Sequence, residues 1–175
     1  MALKPEEAGA ADEGALVLTS DLAMERAIVA LIYRAARLSD EQRYLDWMEL
    51  FTADGEYSAI TNENLAYKGL RLFRDMGRNA LHERAAFLMG LLQVPRGKTL
   101  HLVSNIEVSD GERPGTASAA SHFLMTRTAD MEHSMLHAAG RYLDRFEQRD
   151  GVWLFKERLV VVDSNLLPPE FTELL

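Results

Sequence analysis

The stretch Arg37-Leu-Ser-Asp-Glu-Gln-Arg-Tyr-Leu-Asp-Trp-Met-Glu-Leu-Phe-Thr-Ala-Asp54 decides how this chain is read. Tyr44, Trp47, Met48 and Phe51 recur at i, i+3, i+4 and i+7, one apolar stripe of an amphipathic helix. Ser39 stands before that stripe with Gln42 three residues on, the spacing of a capping box. These signals predict one helix ending near Leu38, a polar break, and a second helix over 40–52. Asp54-Gly55 then stops the helix, and Glu56 to Ile60 reads as a first strand.

The pattern extends outward on both sides. A helix from Asp21 to Leu38 has Leu22, Ile28, Leu31 and Ile32 as its expected buried positions. After the first strand, the polar segment Thr61 to Gly69 leads into a third helix over 70–92, interrupted near Gly77, and 95–98 is a turn. Beyond Thr99 the period changes from helix to strand. Leu100, Leu102, Ser104, Ile106 and Val108 alternate with His101, Val103, Asn105 and Glu107. The turn cluster Asp110-Gly111-Glu-Arg-Pro114-Gly115 precedes a return strand over 116–128, with Ala117, Ala119, Ser121, Phe123 and Met125 on one face. A long strand over 135–148, the hairpin signal Asp150-Gly151 and a last strand over 152–163 follow, and Pro168-Pro169 stops regular structure. The expected fold is α+β: N-terminal helices packed on a strongly curved, mainly antiparallel sheet, with a pocket between them that holds a ligand or is filled by side chains. Residues 1–20 are expected to form a flexible arm and 21–175 a single domain.

Composition narrows the function. The chain has 175 residues, a net charge of −8 and no cysteine. The acidic balance disfavours nucleic acid and acidic membrane surfaces. No apolar run approaches the roughly 18 residues that span a bilayer, and the N-terminus lacks a signal-peptide pattern, so a cytoplasmic location is expected. Without cysteine the chain has no thiol nucleophile and cannot ligate a Rieske-type cluster.

Several residue sets could carry chemistry. His133 and His137 are four apart, but on a strand that spacing spans roughly 13 Å, too far for one metal. His101 and His122 lie in adjacent strands and face each other if paired residue numbers sum to about 223; they are then either polar groups on a sheet face or acid–base groups in a pocket. Asp40 and Asp46 lie near the helix junction and serve as a first-turn or solvated carboxylate, or as a base if buried. His82 belongs to a charged helix face. Arg127, Arg141, Asp144, Arg145, Glu147, Arg149, Lys156, Glu157 and Arg158 mix both signs along neighbouring strands, as expected of cross-strand ion pairs on an outer sheet face or a polar interface. No phosphate loop, dinucleotide fingerprint, nucleophile elbow or helical two-His-one-carboxylate cluster is present.

An ordered set of segments carries a family resemblance. Tyr33 to Asp54 is followed by His101-Leu-Val-Ser-Asn105-Ile-Glu-Val and Ser121-His-Phe-Leu-Met-Thr-Arg127. Gly140-Arg-Tyr-Leu-Asp144, Trp153-Leu-Phe-Lys-Glu-Arg158 and Val160-Val-Val-Asp163 complete it. Together they resemble the small (beta) subunits of aromatic-ring-hydroxylating Rieske dioxygenases. Departures are the Ser after Tyr57, where relatives often have Pro, Leu100 before the strand histidine, and His122 in place of a common Asn. The resemblance implies a cystatin-like fold of the nuclear-transport-factor-2 type. It also implies a trimer of these chains within a hexamer, partnered by catalytic alpha subunits that hold the 2Fe-2S cluster and mononuclear iron and use NADH-derived electrons. It implies no cofactor, metal or catalytic residue in this chain; Arg141, Asp144, Trp153, Arg158, Asp163 and the tail 166–175 are then interface candidates. Scytalone dehydratase and polyketide cyclases are similar in outline, and that alternative makes Asp40, His101, His122 and Tyr57 an acid–base site with Tyr33 or Tyr57 polarising a carbonyl.

Overall fold

A computed structural model describes residues 22–91, 97–165 and 174. The elements are α1 (Leu22–Asp40), α2 (Tyr44–Met48), β1 (Phe51–Thr61), α3 (Asn62–Ala66), β2 (Phe73–Met76), α4 (Gly77–Leu91), β3 (Lys98–Asp110), β4 (Thr116–Thr128), β5 (Met135–Arg149) and β6 (Val152–Val162). The strands form one open mixed sheet in the order β2-β1-β6-β5-β4-β3. Among the described strands β1 and β6 run parallel, and the other neighbours are antiparallel. Helices α1, α2 and α4 cover the inner face of the sheet, so the expected α+β architecture holds. The arm 1–20, the turn 95–96 and the tail residues 166–173 and 175 lie outside the described residues.

The opening stretch folds differently from its pattern. α1 runs two residues further than expected, so Ser39 sits inside it and caps nothing. Gln42 then takes a left-handed backbone with φ 58°, and the Arg43 N–H donates to the Leu38 carbonyl at 2.9 Å. That reversal leaves room for only the single turn of α2. Tyr44, Trp47, Met48 and Phe51 are all buried as the stripe requires. Phe51, however, already belongs to β1, and its ring meets Trp47 at 4.7 Å. Helical spacing is here satisfied by one helical turn plus the first residue of a strand. Asp54-Gly55 ends no helix; it lies in β1 where the pairing with β6 slips between Phe51 and Glu56.

Other differences have equally local causes. Leu22 is exposed at the start of α1, while Ile28, Leu31 and Ile32 are buried. The region expected as a third helix is split into β2 and α4 at Gly77, whose φ of 78° suits glycine, and α3 occupies part of the polar segment before it. In β3, Asn105 adopts φ 51° at a bulge between Ser104 and Glu107. The bulge reverses the alternation, so Val103 points inward before it and Ile106 and Val108 after it. The Asp150-Gly151 hairpin forms with φ values of 51° and 80°, the left-handed pair that a two-residue turn needs.

Candidate functional site

The last residue of α1 reaches the second strand-forming half of the chain. Asp40 Oδ2 accepts the His101 backbone N–H at 2.9 Å, and Asp40 Oδ1 lies 2.6 Å from His101 Nδ1. A carboxylate can only accept, so His101 Nδ1 donates to Asp40. The His101 side chain is 1% exposed, and Nε2 is buried without a hydrogen-bond partner in the structure. An oriented imidazole whose second nitrogen has no partner is the arrangement a general base needs.

Around this dyad the cone interior is unusually polar. Tyr142 on β5 feels the charge of Asp40 as well as those of Arg158 and Asp144, and burial drives its phenol pKa upward. Arg158 and Asp144 face each other across β5 and β6, with hydrogen bonds of 3.0 and 2.8 Å. The Arg158 guanidinium is sandwiched between the Tyr142 and Phe155 rings, 4.3 Å from each centroid. Burial opposes its charge, but the Asp144 carboxylate outweighs burial and raises its pKa. Tyr57 lies in the same interior, wedged against Trp47 at 4.8 Å and Phe73 at 5.0 Å. Ser121 Oγ is another buried polar atom without a hydrogen-bond partner.

The structure therefore brings together Asp40 and His101, with Tyr57 in the same core, and leaves His122 out. The observed register pairs His101 with Met125 and Ser104 with His122, so paired numbers sum three higher than expected. His101 faces inward and His122 outward, where it meets Asn105 at 3.4 Å. Tyr33 is exposed on α1. His82 is exposed on α4. Asp46 pairs with Arg43 at 2.7 Å on the surface. Among the described residues no group of three His, Asp or Glu could hold a metal.

Among the interface candidates, Asp144 and Arg158 form a cross-strand pair, but on the inner face rather than the outer one. Arg141 is outward, 3.0 Å from Asn62 Oδ1 and 4.0 Å from Asp163. Trp153 is half-buried beside a cleft of about 660 Å³ that also involves Met24, Asp110, Arg113 and Gln148. This cleft sits at the tip of the β3–β4 hairpin, at the opposite end of β3 from His101. Leu174, the one described residue of the tail beyond 165, is buried in this chain's own core, where its carbonyl accepts from Ser39 Oγ at 3.4 Å.

Tyr142 was within reach of sequence reasoning, since it stands two residues before Asp144 and shares its face. Leu174 gave no periodic signal.

Helices seated in an open, curved six-stranded sheet with a polar interior define the cystatin-like, nuclear-transport-factor-2-like class. Within it, the SnoaL-like domain model matches residues 20–159, and the chain belongs to that family. It is similar to the 3-phenylpropionate/cinnamic acid dioxygenase subunit beta of Photorhabdus laumondii, with 27% identity over 80% of this chain and 84% of that one. It is also similar to the biphenyl 2,3-dioxygenase subunit beta of Rhodococcus jostii, with 26% identity over 84% of this chain and 86% of that one. Among solved structures, the beta subunit of a candidate aromatic-ring-hydroxylating dioxygenase from Novosphingobium aromaticivorans superposes with a TM-score of 0.75 at 21% identity, covering 86% of this chain and 95% of that one. A candidate scytalone dehydratase from the same organism superposes at 0.64 with 25% identity, over 82% and 86%. The resemblance to dioxygenase beta subunits thus holds over most of the chain, and the fold is shared with dehydratase-like proteins.

Proposed function

We propose that this chain is the beta subunit of a bacterial aromatic-ring-hydroxylating dioxygenase, acting in the cytoplasm in the breakdown of aromatic compounds. The observation that carries this reading is its colinear similarity to two dioxygenase beta subunits over 84% and 86% of their lengths. In this reading the chain performs no redox step. It assembles as a trimer within a hexamer and supports larger alpha subunits that hold the Rieske cluster and the mononuclear iron. A chain with no cysteine suits a partner that supplies the cluster thiolates. Among the described residues no helix is long and apolar enough to cross a membrane.

The test is purification of the tagged chain from its native host, with iron assayed and copurifying proteins identified. A larger iron–sulfur protein in equal stoichiometry supports the reading. Recovery of the chain alone, colourless and iron-free, refutes it.

The Asp40–His101 dyad favours a second reading, a stand-alone dehydratase or isomerase. His101 Nε2 would remove a proton next to a carbonyl, with Asp40 holding the imidazole and a tyrosine hydroxyl polarising the oxygen. The two readings separate cleanly. Changing His101 to Gln leaves hydroxylation by the reconstituted complex nearly intact under the first. Under the second it lowers a reaction of the isolated chain by about 10²–10⁴-fold.

A further inference from the structure

The connection from β4 to β5 presents a side chain whose place neither packing nor backbone geometry explains. Met131 is 98% exposed, so it adds nothing to the core. Its φ of 61° lies in the left-handed region, where a residue with a Cβ is held only at a cost and glycine, asparagine or aspartate is the usual occupant. The turn around it is nevertheless well supported. The Glu132 N–H donates to the Ala129 carbonyl at 3.2 Å, and the Thr128 and Ser134 hydroxyls meet at 2.7 Å across its base. A long apolar side chain is thus held out in water on a strained but braced backbone. Strain that the surroundings maintain is an observation from which a role can be argued. What methionine offers here, and the residues that suit this backbone do not, is a thioether.

The other described methionines make a graded series. Met135, at the start of β5, is 66% exposed, Met76 58% and Met89 41%. Met24 and Met48 are 6% exposed, and Met125 on the inner face of β4 is 0% exposed. An oxidant must reach the sulfur from outside, so exposure sets the order of reactivity. The chain has no cysteine, so no thiol of its own competes for the same oxidant. Asp130 and Glu132 flank Met131, and both are exposed. Their carboxylates repel a negatively charged oxidant and leave the approach of an uncharged hydroperoxide unhindered.

We propose that Met131 is a site of reversible oxidation by small hydroperoxides, and the first sulfur of this chain to react. A sulfur lone pair attacks one peroxide oxygen, and the S–O bond forms as the O–O bond breaks. The sulfur loses two electrons. The departing oxygen takes the proton of the transferred one and leaves as water from hydrogen peroxide, or as an alcohol from an organic hydroperoxide. The product is methionine sulfoxide, a polar group in place of an apolar one. At Met131 the fold tolerates that change, because the side chain already lies in water. At Met125 the same change would place an unpartnered polar oxygen in the core. An exposed sulfoxide also stays within reach of the reductases that restore methionine. Met131 is open to this chemistry whether or not the subunit reading holds.

The test treats the full-length chain with hydrogen peroxide under native conditions and follows the sulfoxide at each methionine by peptide mass spectrometry. The same series in urea corrects for local sequence. In the native chain Met131 should react about tenfold or more faster than Met24, Met48 and Met125, and ahead of Met135, Met76 and Met89, whereas in urea the rates converge. Circular dichroism and Tm should not change when Met131 is converted, and sulfoxide reductases of both stereospecificities should return its original mass. Met131→Gly suits the left-handed backbone and should keep or raise Tm. The proposal is overturned if another methionine leads Met131 in the native chain, if conversion of Met131 lowers Tm, or if the reductases leave it oxidised. A lower Tm for Met131→Gly overturns it as well, since the side chain would then be held for packing.

Discussion

Replacing Asp144 by Ala tests the interior most directly. Asp144 and Arg158 side chains are 0% and 2% exposed, so the remaining guanidinium has no route to water without local unfolding. At an effective dielectric of about 20, two unit charges about 3 Å apart attract by roughly 5–6 kcal/mol, which is close to the desolvation penalty of several kcal/mol per buried ion. The intact pair therefore contributes little net stability, whereas breaking it strands a buried charge at about 3–5 kcal/mol. At about 2–4 °C per kcal/mol for a chain of this size, Tm falls by roughly 6–20 °C. The double replacement Asp144→Leu with Arg158→Met removes both charges and keeps an apolar stem between the Tyr142 and Phe155 rings, so it should lie within about 1–2 kcal/mol of wild type. Urea unfolding of the wild type, Asp144→Leu, Arg158→Met and the double variant completes a double-mutant cycle. If Asp144→Ala costs under about 1 kcal/mol, or the double variant is as unstable as the single one, a dry buried pair is the wrong description.

Three further outcomes are expected. Gly140→Ala places a Cβ 2.1 Å from the Val161 carbonyl oxygen, a backbone atom with no freedom to retreat, so it should destabilise the β5–β6 pairing by at least ~2 kcal/mol, read from the urea midpoint. Burial pushes the Glu56 carboxyl up, but hydrogen bonds and charges from Arg74 and Arg71 outweigh it and hold its pKa below 4.5. A depressed carboxylate stabilises the fold above its unfolded pKa, and that contribution fades as pH falls through the folded value; the Tm of Glu56→Gln should therefore drop less than the wild type's between pH 6 and pH 3. Asp40→Asn keeps the shape but weakens the acceptor for both His101 donors, and the exchange protection of the His101 amide should fall about tenfold, measured by hydrogen exchange.

Much of this fold was legible because burial leaves a period in the sequence. Phe123 and Met125 alternate with His122 and Leu124, and the inward face of β4 follows from that alone. The same alternation misplaces Ile106 and Val108, because a bulge at Asn105 shifts parity by one and nothing in the side-chain pattern announces it. The helix stripe ending at Phe51 was correct about burial and wrong about conformation, since one turn of helix followed by a strand can place four aromatic and apolar residues on one core as well as a longer helix does. The dyad was half legible. Asp40 and His101 were both singled out, but their contact spans 61 residues, and only the register of β3 against β4 decides which histidine turns inward. The outward fate of His122 followed from a three-residue difference in pairing that turn composition could not supply. Asp144 and Arg158 were read as surface charges because ionised residues are seldom buried unless paired, and the pairing is visible only once β5 and β6 are aligned.

The interior bears on how the dyad can be used. An acid–base histidine acts only on a substrate that reaches it, and the His101 imidazole is enclosed. Trp47, Tyr57, Tyr142 and the Asp144–Arg158 pair are buried as well. Arg158 could otherwise bind an anionic or enolic oxygen, but its Nε and one terminal nitrogen are already committed to Asp144, and its two faces are covered by rings. Leu174 packs close to the end of α1, and its carbonyl accepts from Ser39 Oγ, next to Asp40 itself. Each of these contacts favours a closed interior over an open one. The polar groups inside then hold α1, β3, β5 and β6 in a fixed arrangement, with Asp40 clamping helix to strand through two hydrogen bonds. On the outside the preference is reversed. Leucines that could have been buried are exposed, and Met131 is held in a strained conformation in full contact with water. An enclosed His101 and an exposed apolar sheet face both favour the subunit reading over the dehydratase reading, although the dyad geometry is intact.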